Sequence, residues 1–247
     1  MTGLRRFEGR VAIVTGSSSG IGEATARLLD ELGAHVVVNS SSSRQAGLDV
    51  AASLDSGLYV QADVSDAVQS AALVEETIAR FGRLDVLINN AGFTQVIPHH
   101  DLDGVSDELF RQILEVNVIG PFRLTKLALP HLRRDGGGSV VNVSSVAGIR
   151  PTGSCIPYAA SKAALNHLTQ LLANVSGPEV RINAVAPGLV RTPWTDGWGP
   201  IHDAMDTLAP LGRSGTPAEI ASVIVDVCES TYLTGQVVLV DGGMSLR

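Results

Sequence analysis

Cysteine is nearly absent from this chain. Cys155 and Cys228 are the whole complement, too few for a disulfide framework or a structural zinc centre. The expectation that follows is a reduced, cytoplasmic setting. Basic runs are missing too. Arg133-Arg134 is the longest internal cluster and the formal net charge is −7, so no stripe of cations is offered to nucleic-acid phosphates. No apolar run approaches the roughly 20 residues of a membrane helix. The order of a secretion signal, charged then apolar, is also lacking, because residues 11–15 already read as a strand. Without such a signal the N-x-S triplets at Asn39, Asn142 and Asn174 read as chance matches to the glycosylation pattern. These absences leave a small molecule as the expected partner, with neither nucleic acid nor membrane.

What is abundant is buried-type residue. Of 247 residues, 45% are hydrophobic and 17% charged, which describes a well-packed globular chain. Val- and Ile-rich runs at 11–15, 35–39, 57–61, 85–90, 139–144, 181–186 and 236–240 are nearly continuous rather than alternating. Continuous runs mark strands buried on both faces, hence a parallel sheet. Helical patterns fill the gaps at 22–32, 46–54, 66–81, 106–134, 158–175 and 217–228. Strand–helix alternation predicts an α/β fold, a doubly wound sheet flanked by helices. No linker interrupts it, so residues 1–247 are read as one domain. The Gly- and Pro-rich stretch 188–216 has the length of a binding loop or lid.

The segment TGSSSGIG, residues 15–22, joins the first strand to the first helix. Gly16, Gly20 and Gly22 allow a tight turn and a close approach to a pyrophosphate. The helix N-terminus behind them offers free N–H groups to that anion. Ser18, Ser19 and Ile21 belong to the same turn. A strand before and a helix after raise this above an ordinary glycine turn. No Gly-Lys-Ser/Thr follows, so it is not a P-loop.

Further motifs follow in order: NNAG at 89–92, Asn117 in NVIG, Ser145 thirteen residues before Tyr158, Lys162 four after it, APG at 186–188, PLGR at 210–213 and VDGG at 240–243. With the TG-xxx-G-x-G spacing, this set resembles the short-chain dehydrogenase/reductase family over nearly the whole chain, and 3-oxoacyl-carrier-protein reductases in particular. The resemblance implies a seven-stranded Rossmann-type enzyme, usually a homotetramer, that moves hydride to or from NAD(P). It also implies Asp63 and Val64 flanking the adenine, and Asn90, with Ala91 and Gly92, beside the ribose. Pro187, Gly188, Val190 and Thr192 are then expected near the nicotinamide.

The end of the second strand selects the dinucleotide. An acidic residue there would accept hydrogen bonds from a free 2′-hydroxyl. Counting from Gly33 places Ser40 and Ser41 there, with Arg44 close and no acid before Asp49. Hydroxyl and guanidinium donors suit a 2′-phosphate, which favours NADP(H) over NAD(H). The competing reading is a polar loop with Arg44 turned to solvent.

Tyr158 and Lys162 share a helix face at i, i+4. A free phenol has a pKa of about 10, and a nearby ammonium is expected to lower it. Tyr158 is therefore the expected general acid or base, with Lys162 binding the ribose hydroxyls as in the family. Ser145 is expected to hold the substrate oxygen, with Ser144 its competitor. In the family, Asn117 joins this set by holding a water with the lysine. Pro121 lacks an N–H, so a helix through it leaves the carbonyl of Asn117 without its usual partner. Gly120-Pro121 either opens that acceptor or simply bends a long helix.

Pocket walls are expected from 93–99, 146–155 and 188–212, including Phe93, Ile149, Cys155, Ile156, Trp194, Trp198, Ile201 and Met205. The two tryptophans either cover substrate or anchor the lid. His99-His100-Asp101 lacks a further ligand at metal-binding spacing, so no metal is expected. A carbonyl reductase or alcohol dehydrogenase is the leading reading. The alternatives are a non-catalytic NAD(P)-binding sensor or scaffold, and an NAD-dependent alcohol or sugar dehydrogenase of the same family.

Overall fold

The computed structural model describes residues 6–246. Seven strands form one parallel sheet: β1 (Val11–Val14), β2 (His35–Ser40), β3 (Gly57–Gln61), β4 (Val86–Asn89), β5 (Gly138–Val143), β6 (Val180–Pro187) and β7 (Val237–Val240). Their order is β3-β2-β1-β4-β5-β6-β7. The chain winds outward from β1 to β3, then restarts beside β1 with β4. That reversal opens a crevice at the carboxyl ends of the strands, where ligands bind in doubly wound sheets.

Strand periodicity explains why the runs are continuously apolar. Side chains at alternate positions face opposite sides. Ala12, Val14, Val36, Val38, Val86 and Ile88 pack with Ala26, Leu29, Ile220 and Ile224 on one face. Ile13, Val37, Leu87, Val140 and Ile182 pack with Leu73, Leu124, Ala128 and Leu132 on the other. The helices are α1 (Gly20–Glu31), α2 (Arg44–Ala52), α3 (Ala67–Phe81), α4 (Asp107–Leu114), α5 (Gly120–Leu132), α6 (Ile156–Ser176), α7 (Gly199–Leu208) and α8 (Pro217–Glu229). Helices α1, α2 and α8 supply the first layer, and α3, α5 and α6 the second. Each fully buried Leu or Ile contributes about 1.5–3 kcal/mol.

Two features differ from the sequence expectation. The single helix expected over 106–134 is α4, then a π turn over Glu115–Ile119, then α5. In that wider turn the Gly120 N–H bonds to the Glu115 carbonyl, five residues back. Pro121 then falls in the first turn of α5, where a missing N–H costs little. The stretch 188–216 is not all loop either, because α7 lies inside it. Its Pro200 stands in the first turn, a helix-starting position that composition alone hides. Strand ends shift by only a residue or so.

Candidate active site

The glycine turn is held rigidly from both neighbouring strands. Gly16 and Gly20 have φ of +61° and +59°, a region closed to most side chains. A Cβ on Gly22 would lie 2.4 Å from the Gly16 carbonyl oxygen and 2.5 Å from Asn90 Nδ2. Gly22 is therefore a packing glycine, away from the cavity. Asn90 Nδ2 donates to the carbonyls of Thr15 (2.8 Å) and Gly16 (3.1 Å), while the Thr15 hydroxyl accepts from the N–H groups of Asn90 and Ala91. From the other side, Asn39 Oδ1 accepts from Gly16 N–H, and its Nδ2 donates to the carbonyls of Val60 and Ala62. Ser19, at the N-cap of α1, makes no side-chain cap. A cavity of about 1110 Å³ begins at this turn and ends under α7.

Gly16, Ser18, Ser19, Gly20, Ile21, Ser40, Ser41, Asp63, Val64, Asn90, Ala91 and Gly92 border the cavity. So do Pro187, Gly188, Val190 and Thr192 at its middle. Gly22, Arg44 and Asn117 do not. Arg44 opens α2 and its Nη1 donates to Gln61 Oε1 at 3.4 Å. Ser40 is buried, its hydroxyl paired with the Tyr59 hydroxyl at 2.9 Å. Ser41, Ser42 and Ser43 are exposed at the rim. The Asp63 carboxylate accepts from the N–H and hydroxyl of Ser65.

The reacting end gathers on α6 and the end of β5. Ser145 leaves β5 extended and caps the 3₁₀ turn Val146–Gly148, accepting from the Ala147 N–H. Ser145 also faces the Tyr158 phenol, where its hydroxyl favours the phenolate. Ser144 is buried and its hydroxyl donates to the carbonyl of Lys162 at 3.3 Å. The two serines are thus separated: Ser145 meets the phenol and Ser144 ties β5 to α6. Asn117 is fully buried, its amide bonded to both the N–H and carbonyl of Phe93 and to Ser161 Oγ. Its side chain is consumed by structure, which leaves only its backbone for the site.

The expected depression of the Tyr158 pKa does not occur here. Burial pushes the phenol above its ordinary value, and the Ser145 hydroxyl only partly opposes this. Lys162 is itself lowered to about 8 by burial. Its Nζ donates to the Val143 carbonyl at 2.8 Å and lies 5.7 Å from the Tyr158 ring centre. Both groups pay for charge in the same desolvated place, so neither readily charges the other.

That burial has a consequence for stability. Unfolded, the lysine titrates at 10.5; folded, at about 8. Below pH 8 both states carry the ammonium and the burial cost is fully present. Above 10.5 both are neutral and the cost is gone. Between those values the unfolded chain binds more protons, so stability rises with pH. Ligand-free protein is expected to gain on the order of 3 kcal/mol over this window relative to Lys162→Met. Denaturant midpoints measured across the window check it; parallel profiles for the two proteins count against it.

The substrate half is walled by Phe93, Trp194, Trp198, Ile201 and Met205. Trp194 meets Tyr158 edge-on, with ring centres 6.5 Å apart. Ile149, Cys155 and Ile156, also expected as walls, do not reach the cavity. Cys155 packs instead with Leu109 and Ile113. Gln112, Val116, Met244 and Ser245 line the cavity without having been expected. Gln112 lies near the end of α4 and Val116 in the π turn after it; only the placement of this segment under the site makes them walls. The stretch 188–216 is tethered by His202, which is buried between Ser214 Oγ (2.8 Å) and Thr195 Oγ1 (3.1 Å). Among the described residues, no three His, Cys, Asp or Glu side chains are grouped to hold a metal ion. No helix there is long and apolar enough to cross a membrane.

The doubly wound sheet thus carries a glycine cradle at its switch point and a Ser–Tyr–Lys cluster beyond it. The chain belongs to the short-chain dehydrogenase/reductase family. Residues 16–245 match the family model described as enoyl-(acyl carrier protein) reductase. A protein of Streptomyces violaceoruber named as ketoacyl reductase 2 of the granaticin polyketide synthase is 52% identical over 242 residues, covering 97% of both chains. L-fucose dehydrogenase of Bos taurus is 40% identical, covering 98% of this chain and 91% of that one. A Burkholderia xenovorans crystal structure classed with the same family superposes with a TM-score of 0.90 at 39% identity, covering 96% of this chain and 98% of the other. The protein is thus an oxidoreductase of a family that binds NAD(P)(H) and acts on small molecules.

Proposed function

We propose that this protein reduces the ketone of a small, largely apolar substrate with NADPH, working as one domain closed by the lid 188–216. The observation that carries the reading is the Tyr158 phenol, which borders the cavity beside Trp194 and whose pKa burial pushes above its ordinary value. A phenol that keeps its proton is ready to donate it. That suits reduction better than oxidation, which would start from the phenolate.

The residues present fit a nicotinamide dinucleotide. Positive-φ glycines leave room for a pyrophosphate at the N-terminus of α1, and the cavity continues past Asp63 and Asn90 to Thr192. When bound, the dinucleotide supplies the hydride that reduces the carbonyl carbon. Ser145 donates a hydrogen bond to the carbonyl oxygen as negative charge gathers there. Tyr158 transfers its phenolic proton to that oxygen, completing the alcohol. Lys162 orients the ribose hydroxyls. The Asn117 carbonyl, within the π turn, and Lys162 hold a water through which Tyr158 regains its proton.

NADPH is preferred because the rim at Ser41, Ser42 and Ser43 offers hydroxyls and no carboxylate, with Arg44 at the start of α2. Arg44 now points toward Gln61, so this preference rests first on the serines. The 52%-identical ketoacyl reductase supports a ketone beside an acyl chain as the substrate class. The family's habit supports a homotetramer. A panel of β-keto esters, cyclic ketones and sugars, read at nicotinamide absorbance, tests both points. The expected result is ketone-dependent oxidation of NADPH at higher kcat/KM than NADH. Equal or better efficiency with NADH, or turnover of sugars alone, overturns the reading in favour of a sugar dehydrogenase like the bovine relative.

A further inference from the structure

The substrate half of the cavity holds one cation with no assigned task. Asp63, His99, Arg150, Tyr158 and Lys162 are the ionisable side chains on the cavity wall. Asp63 lies at the far end and is occupied by Ser65. Lys162 is deep in the site and donates to Val143. Arg150 is exposed at the rim, just after the 3₁₀ turn that Ser145 caps. Its Nη2 donates to the carbonyl of Ser245, and both residues border the cavity. The guanidinium therefore stands at the mouth, fixed at one corner.

No carboxylate among the described residues forms an ion pair with Arg150. The nearby Asp241 is committed to the N–H groups of Gly243 and Ser245. A guanidinium presents five donors in a planar fork, and one bond to a carbonyl leaves the others for a ligand. The rest of this half is aromatic, aliphatic or small, apart from the polar side chains of His99 and Gln112. On a chain of net charge −7, a lone cation at the mouth of an apolar pocket marks a place for an anion.

We infer that Arg150 is a specificity-determining residue that binds a carboxylate or phosphate on the substrate tail, while the ketone lies at Tyr158. This rests on the reductase reading and narrows it to anionic ketones. Carboxylates and phosphate monoesters each present a pair of adjacent anionic oxygens that the planar guanidinium fork can hold at once.

The test uses the full chain with NADPH and three matched ketones: para-acetylbenzoate, its methyl ester and para-acetylphenyl phosphate. Wild type is expected to favour an anionic ketone over the ester, an advantage that shrinks as salt rises. The better anion identifies the group. Arg150→Gln is expected to lose roughly tenfold or more in kcat/KM for the anions, mainly through KM, and little for the ester. Arg150→Lys should recover part of that loss. An equal fall for ester and anions would overturn the inference, since it would make Arg150 only a brace for Ser245. A wild type that prefers the ester would overturn it as well. If wild type reduces none of the three nor any panel ketone, the reductase reading fails instead. Titrating para-acetylbenzoate into the NADPH complex then judges Arg150 alone, by binding that is lost in Arg150→Gln or by no binding at all.

Discussion

Tyr158→Phe is expected to lower kcat for ketone reduction by roughly 100- to 10,000-fold, the range supplied by a positioned general acid. The substitution removes one oxygen. It keeps the ring that Trp194 meets edge-on and that Lys162 approaches from 5.7 Å. Folding and NADPH affinity should therefore survive, and dinucleotide binding serves as the control. Ser145→Ala should cost less than Tyr158→Phe yet more than Ser144→Ala. The hydroxyl of Ser145 meets the phenol, whereas that of Ser144 is spent on the Lys162 carbonyl. Activity that survives Ser145→Ala but not Ser144→Ala would reverse the assignment.

The second large effect is structural. Gly22→Val should abolish dinucleotide binding and lower the melting temperature. Even the first added carbon would stand 2.4 Å from the Gly16 oxygen and 2.5 Å from Asn90 Nδ2. Neither neighbour yields easily: Gly16 is backbone at positive φ, and Asn90 is tied to Thr15 and Gly16. Overpacking of this kind costs about 1–3 kcal/mol, occasionally more. The cost lands on the turn that must face the pyrophosphate. As a control, Gly82→Ala, at φ +75° but with no neighbour within 4 Å, should destabilise modestly and leave binding intact. Melting curves with and without NADPH separate the two. A Gly22→Val protein that still gains stability from NADPH would contradict the packing role.

The sheet was legible because its central strands are apolar on both faces, so Val and Ile mark them. Legible too were Tyr158, Lys162 and Ser145, whose spacing survives into three dimensions. Four things were not. Helix α7 hides behind Pro200 and the glycines around it, residues that read as loop until their place in the first turn is known. The π turn depends on how Gly120 fits: its Cβ would lie 3.0 Å from the Val64 carbonyl, a tertiary contact that sequence spacing does not carry. The charge state of the Tyr158–Lys162 pair was misjudged for a similar reason. Proximity was readable from i, i+4 spacing, but burial of the lysine, whose Nζ donates to the Val143 carbonyl, comes from the tertiary fold. Ser40 likewise looked free until Tyr59, nineteen residues later, met its hydroxyl.

The central claim is that Tyr158 delivers the proton to a ketone when NADPH is bound. Its most direct test is a single-turnover reaction with enzyme in excess over NADPH, followed at nicotinamide absorbance after adding a ketone that the panel shows to be reduced. Wild type should oxidise the bound NADPH fully. Tyr158→Phe, shown beforehand to bind NADPH as tightly, should leave it unoxidised on the same timescale. Oxidation by Tyr158→Phe within a few-fold of the wild-type rate would contradict the account.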